Sequence, residues 1–309
     1  NLNTISQSNY TLSFNSERAY TEELFVENDE TITIIKKTDI FKKEPITTAV
    51  TIKNNELSTQ TISASKFYIR DNRVLTINNH QYLLGFATNN AKPAASMGGV
   101  KDKSVFIYNL TEQQLVKNQE WSSEILKKVL GKGFINLKLK DILIDNDNLY
   151  IIGDCFSEKS EPINGANFEY SYTYNFGPGV VVKLNTEGEI FYQSYIKYGD
   201  KYKNRAKILG SFYPYLNNGK LQILINEKTS VLKKKMIVAG RAVHEETIVL
   251  NTFDDSGNIT TIPFWNSKTG GRNELVYFAA TNTISVNNNT FYVYAMGGEY
   301  HRFGKLKMD

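Results

Sequence analysis

One pattern is written three times in this chain, and it restricts the fold more than any other feature. It stands as "SVFIYNLTEQQLVKNQEW" at residues 104–121, "VVVKLNTEGEIFYQSYI" at 180–196 and "TIVLNTFDDSGNITTIPFW" at 247–265. Each copy is an apolar strand, a turn of Asn, Thr, Asp, Glu or Gly, and a second strand ending near an aromatic residue. A second pattern precedes these hairpins: a strand, a two-residue turn rich in Asn or Asp, and another strand. It occurs as "ELFVENDETITII" (23–35), "VLTINNHQYLLGFA" (74–87), "ILIDNDNLYIIGD" (142–154), "YLNNGKLQILIN" (215–226) and "ISVNNNTFYVYAMG" (284–297). Asn and Asp tolerate positive φ, which two-residue hairpin turns demand. The turns recur about every 50 to 70 residues, a spacing that matches propeller blades carrying loop insertions.

Paired hairpins make four-stranded units, A-B followed by C-D. The first unit takes 47–52 and 57–63 as its second hairpin, around Asn54-Asn55. The fifth has A, B and a strand C in "YHRFGKLKM" (300–308), and the sequence ends there. Near the N-terminus stands an unassigned strand, "NYTLSF" (9–14), which can serve as the outer strand of the last blade and so close a ring. The expectation is an all-β chain: one β-propeller domain over residues 1–309, with five four-stranded blades. They lie at roughly 21–63, 67–121, 141–196, 212–265 and 275–309. An irregular sixth blade within 119–140 or 196–212 is the structural alternative. The first of those stretches also reads as a helix: "WSSEILKKVLGKGF" sets Ile125, Leu126, Val129 and Leu130 on one face, with Ser122 or Ser123 as cap and Gly131 as stop.

Composition narrows the function classes. Of 309 residues 12% are aromatic, with 19 Tyr and 17 Phe, which favours strands. The formal net charge is +4, with lysines interspersed among acids, so no nucleic-acid partner is expected. No apolar run is long enough to span a bilayer. A single cysteine, Cys155, excludes an internal disulfide and a cysteine-based zinc site. His80, His244 and His301 are scattered without ligand spacing, so neither metal nor cofactor is expected. "DDSGN" (254–258) lacks the acidic residue that closes a calcium loop and reads as a hairpin turn.

In a propeller the A-B and C-D turns share one face, and the B-C and D-A connections share the other. The long connections, 88–103, 119–140, 154–178, 196–212 and 265–275, gather on that second face, where loops on a rigid scaffold carry function. The richest holds Phe168, Tyr170, Tyr172, Tyr174 and Phe176 in alternation. It reads either as a ribbon packed on its neighbour or as a ridge that contacts a protein or a sugar. Tyr198 and Tyr202 follow among lysines in "IKYGDKYKNRAK" (196–207). The candidate partner-binding set is therefore Phe168, Tyr170, Tyr172, Tyr174, Phe176, Tyr198 and Tyr202. A catalytic alternative exists. Glu23, Asp71 and Asp141 each stand just before an A strand, and some five-bladed propellers are glycoside hydrolases with three carboxylates around the channel. Acids at strand starts also serve simply as solvation and edge protection.

"VVKLNTEGEIFYQSYI" and its fellow hairpins resemble blades of extracytoplasmic propellers from Bacteroidota, which carry a strand, "KLNxxG" and an aromatic-rich strand. The resemblance covers most of the chain through a degenerate motif. It implies a periplasmic or otherwise extracytoplasmic protein that has lost a signal sequence, consistent with Asn1 as first residue. It also implies a role in the cell envelope, one candidate being the plug at the periplasmic end of the type 9 secretion translocon. The expected function is a non-enzymatic interaction subunit with a protein partner in an envelope complex and no small-molecule ligand; the alternative is a glycoside hydrolase or glycan-binding lectin.

Overall fold

The alternating apolar and polar residues of the hairpins become antiparallel ladders. The computed structural model describes residues 9–11, 19–27, 31–38, 46–62, 67–88, 104–129, 137–163, 169–203, 210–228, 236–238, 241–243, 246–266, 277–279, 282–287, 290–297 and 300–307. They divide into two compact units, 1–121 and 122–309.

The first unit holds two meanders. Sheet I runs β1 (Ala19–Val26), β2 (Ile32–Thr38), β3 (Thr47–Lys53), β4 (Glu56–Thr61), and sheet II runs β5 (Tyr68–Ile77), β6 (His80–Thr88), β7 (Ser104–Asn109), β8 (Gln114–Glu120). The sheets stack face to face, Ile35 and Ala49 against Leu83, Phe106 and Tyr108. Fully burying one such side chain contributes about 1.5–3 kcal/mol. Polar groups stitch the same interface: Thr33 Oγ1 donates to Gln81 Oε1 at 2.9 Å, and Gln60 Nε2 donates to the Tyr108 hydroxyl at 2.7 Å. Satisfying these groups matters because a buried unpaired amide costs more than a made bond returns.

The second unit opens with a helix, α1 (Ser123–Lys128), capped by the Ser122 hydroxyl, which accepts from the Ile125 amide. Ile125 and Val129 are buried, but Leu126 is exposed, so the buried face is narrower than the spacing predicts. Leu130 and Gly131 lie outside the described residues. Sheet III comprises β9 (Leu137–Asp145), β10 (Asn148–Pro162), β11 (Tyr170–Asn185) and β12 (Ile190–Ile196), with β13 (Asp200–Lys203) pairing β11. Sheet IV comprises β14 (Phe212–Asn217), β15 (Lys220–Lys228), β18 (Glu246–Phe253) and β19 (Ile259–Asn266). Between β15 and β18 a small ribbon is made by β16 (Met236–Val238) and β17 (Arg241–Val243), a long connection the sequence reading overlooked. In sheet V, β22 (Thr290–Gly297) pairs on one side with β20 (Tyr277–Phe278) and β21 (Ile284–Asn287), and on the other with β23 (Tyr300–Lys307). Period-two alternation lets β15 serve two interfaces: Ile223 and Ile225 face sheet III, while Leu224 faces sheet V. Neither stretch proposed for a sixth blade makes a further sheet among the described residues: one holds α1, and in the other β13 joins sheet III.

Turn chemistry follows the sequence closely. Asn54-Asn55, Asn78-Asn79 and Asn218-Gly219 all adopt positive φ in two-residue hairpins. The first A-B connection differs. Val26 pairs Ile32, so five residues intervene instead of two, closed by a Glu27 amide to Thr31 carbonyl bond of 2.9 Å. The wider C-D turns are organised by one side chain each. Asn185 Oδ1 accepts from the Glu187 and Glu189 amides, and Asp254 Oδ1 accepts from those of Ser256 and Asn258. Hydrogen bonds, led by those from Asn258, hold the Asp254 carboxyl below the usual aspartate range. "DDSGN" is thus the hairpin turn its missing acid implied.

Three A strands carry the same irregularity. The ladder skips one residue between Thr21 and Glu23, between Ile69 and Asp71, and between Leu139 and Asp141. Each is a β-bulge, which bends the strand and re-aims the next side chain. In sheet II the strand facing the bulge carries a glycine, Gly85 opposite Asn72, for a steric reason: a Cβ on Gly85 would sit 2.0 Å from the Asp71 carbonyl oxygen.

Of the N-terminal strand expected at 9–14, only 9–11 are described; they form no ladder, and the Tyr10 hydroxyl donates to Asn55 Oδ1 at 3.3 Å. The remainder lies outside the described residues.

Candidate functional site

Past Gly153 and Val180, β10 and β11 leave the body of sheet III and continue as a two-stranded ribbon. A bulge between Asp154 and Phe156 marks the departure, and pairing then runs from Phe156↔Phe176 to Pro162↔Tyr170. Because side chains alternate, the aromatic positions of β11 share a face, which Phe156 joins from β10. Tyr172 stacks on Tyr174 at 6.3 Å and 11°, Tyr174 on Phe156 at 6.3 Å and 16°, and Phe156 meets Phe176 at 5.2 Å. Each such pair adds about 0.5–1.5 kcal/mol beyond its buried area.

This ladder is graded in exposure. Phe176 is only 5% exposed, seated with Ala279 and packed by Tyr198 and Tyr294. Its ring lies so close to Gly210 that a Cβ there would meet it at 2.0 Å. Tyr174 and Tyr198 are half-buried in the same cluster. Tyr172 and Tyr170, farther along the ribbon, are 37% and 51% exposed. The ladder places Tyr202 opposite Tyr174 on β13. Phe168 lies outside the described residues. The aromatic set thus divides into a packed base and an exposed tip. Among the described residues no further strand pairs β10 from Glu158 to Pro162, and its charges and proline discourage strand addition.

A second aromatic surface went unnoticed in the sequence. On sheet V, Tyr294 contacts Phe303 at 4.9 Å, and Ile284, Tyr292 and Phe303 are exposed, Phe303 by 84%. They line an open depression of about 930 Å³ with Lys305. Tyr294 also touches the Phe176 cluster, so aromatic groups extend from the ribbon base to sheet V. The available signal was "TFYVYAM", whose two tyrosines fall on the face opposite Phe291 and Val293.

The carboxylates of the catalytic alternative lie inside their A strands, β1, β5 and β9, and not before them, each beside one of the three bulges. Glu23 Oε2 accepts from the Val74 amide at 2.8 Å and from Asn72 Nδ2 at 3.2 Å, joining sheets I and II. Asp71 follows the bulge of β5 in the same unit, opposite Phe86. Asp141 belongs to the other unit, where its Oδ1 accepts from its neighbour's amide, Ile142, at 2.9 Å. Among the described residues no three His, Cys, Asp or Glu side chains cluster as metal ligands. Cys155, at the ribbon's bulge, is buried.

No protein-family model matches the chain, and no curated protein does. Among solved structures it is similar to an acylaminoacyl peptidase from Pyrococcus horikoshii in an orthorhombic crystal form. The two share 11% identity at a TM-score of 0.40, over 92% of this chain and 38% of that one. It is also similar to the WD40 domain of SCAP from fission yeast, at 8% identity and a TM-score of 0.24, over 95% of this chain and 75% of that one. The chain therefore spans well under half the length of the peptidase. Neither superposition is close enough to bear on activity.

Proposed function

We propose that this chain is a protein-interaction scaffold that presents Tyr170 and Tyr172 to a protein partner. The observation that carries the reading is the exposed ribbon tip standing on a buried aromatic base. Preordered aromatic side chains bind at low entropic cost, which is why they dominate interfaces. Tyr170→Ala with Tyr172→Ala in one protein should weaken the native complex at least about tenfold, the loss expected when a buried anchor is truncated. Pull-down titration of an envelope extract against both proteins reads this. Equal capture by the variant would remove the ribbon tip from the interface.

The architecture proposed for the scaffold is a five-bladed propeller in which each sheet is a blade. Four meanders of A-B-C-D order, stacked face to face within each unit, support it. Sheet V has strands A, B and C, and among the described residues no strand pairs the outer edge of β23. The closure proposed is that segment 9–14 supplies the fourth strand, although its described residues, 9–11, make no ladder here. Deleting residues 1–15 should lower the melting temperature and promote aggregation through the uncovered edge; a monomer of unchanged melting temperature would refute the closure.

The setting belongs to the same proposal. The resemblance of "VVKLNTEGEIFYQSYI" to Bacteroidota propellers supports an extracytoplasmic envelope role, with the plug of the type 9 secretion pore as its most specific form. No described helix is long and apolar enough to cross a membrane. Purification of the tagged chain from its native envelope, with identification of co-purifying proteins, tests the setting independently of the tyrosine variant.

A further inference from the structure

The ribbon base is fastened to the chain just ahead of β14 at two adjacent points. One is apolar, the Phe176 ring on Gly210. The other is polar: the Ser211 hydroxyl donates to Asp154 Oδ2. Asp154 stands where β10 departs from sheet III, and Ser211 is the residue before β14. Both are buried, at 5% and 2% exposure. Ser211 holds φ at 72°, a left-handed conformation that a serine keeps only when its surroundings fix it. Asp154 Oδ1 has no hydrogen-bond partner among the described residues. A buried carboxyl group with one acceptor satisfied and the other bare is poorly equipped to carry a charge.

We propose that Asp154 and Ser211 form a proton-operated latch, which holds the ribbon base to the chain just ahead of β14 when the carboxyl group is neutral and loosens when it ionises.

Among the described residues, two polar groups act on Asp154. Lys140, the bulge residue of β9, attracts the carboxylate, and Ser211 hydrogen-bonds to it. Lys140 is itself depressed by burial and also attracted by its neighbour Asp141. Lys138, opposite Asp154 in the β9 ladder, is exposed, and Gly179, opposite on β11, brings no charge. Burial outweighs both helpers and raises the Asp154 carboxyl from 3.8 to about 6. With the latch open the group meets water and titrates in the ordinary range. Between those two values the closed state binds one more proton than the open state. Closure is therefore strongest at low pH, weakens as pH rises through about 6, and stays weak above it.

Hydrogen exchange on the full chain, corrected for its intrinsic pH dependence, tests this. Amides at 154–156, 176–179 and 210–212 should be at least about tenfold better protected at about pH 4.5 than at about pH 7. Asp154→Asn, which keeps the shape and removes the charge, should abolish that difference and give strong protection at both values. Ser211→Ala should keep the difference and move its midpoint upward, because the lost hydrogen bond favours the carboxylate. Equal wild-type protection at the two values, or an undiminished difference in Asp154→Asn, would overturn the latch. Direct carbon NMR titration of the wild-type Asp154 side chain needs no variant: a midpoint in the ordinary aspartate range would overturn it as well.

Discussion

The two ends of the β10–β11 ribbon carry the same alternating aromatic sequence and have opposite environments. At the base, Phe176 packs on Ala279 and Gly210, with Tyr198 and Tyr294 around it. At the tip, Tyr170 and Tyr172 keep large parts of their rings in water. Alternation puts all of them on one face, but it does not say what lies opposite that face. Neighbouring elements at the base supply a glycine and an alanine, whose missing side chains make room for a ring. Among the described residues, Tyr170 and Tyr172 are not enclosed in this way. A single motif therefore contains both a structural foot and a presented surface, and the difference lies in what the rest of the unit places against it.

Three variants probe that contrast. The largest effect belongs to the base. Phe176→Ala removes a buried ring and should cost about 3–5 kcal/mol, read as a lower midpoint in urea unfolding. A midpoint near the wild type would mean that the base is not packed as described. At the tip, Tyr170→Ala with Tyr172→Ala should shift stability by about 1 kcal/mol or less, since exposed positions contribute little to folding. The same urea experiment compares the two: comparable losses would erase the distinction between foot and surface. The smallest effect is expected away from the ribbon altogether. Asp71→Asn with Asp141→Asn should leave partner capture unchanged, because neither residue is on the ribbon. A loss of biological activity with fold and capture intact would instead favour the glycan-active alternative.

Much of this was legible in the sequence, and its failures have physical causes. Asn-rich turns were readable because positive φ is a local property that few residues tolerate. Asn78-Asn79 and Asn218-Gly219 behave as their residue types require. Hairpins followed, since period-two alternation is also local. The first A-B turn was misjudged because "ENDE" has turn composition throughout, and composition does not count how many residues leave the ladder. Leu126 was placed on the buried face of α1 because helical spacing admits it, whereas among the described residues what packs on the helix covers Ile125 and Val129 and leaves Leu126 exposed. The ribbon β16–β17 was missed because its strands, Met236–Val238 and Arg241–Val243, are too short for period-two alternation to show.

The chain by itself determined that it would form four-stranded antiparallel meanders, where their hairpins would turn, and that one connection would be rich in aromatic residues. Those properties depend on near neighbours in sequence. Only tertiary structure decided that Phe176 is foot and Tyr170 surface, that Glu23 is engaged in joining sheets I and II, and that Asp154 is buried beside Ser211. Each depends on residues about 30 to 100 positions away, brought close by packing. Burial and the local dielectric are properties of that packing, so neither can be read from the residue alone.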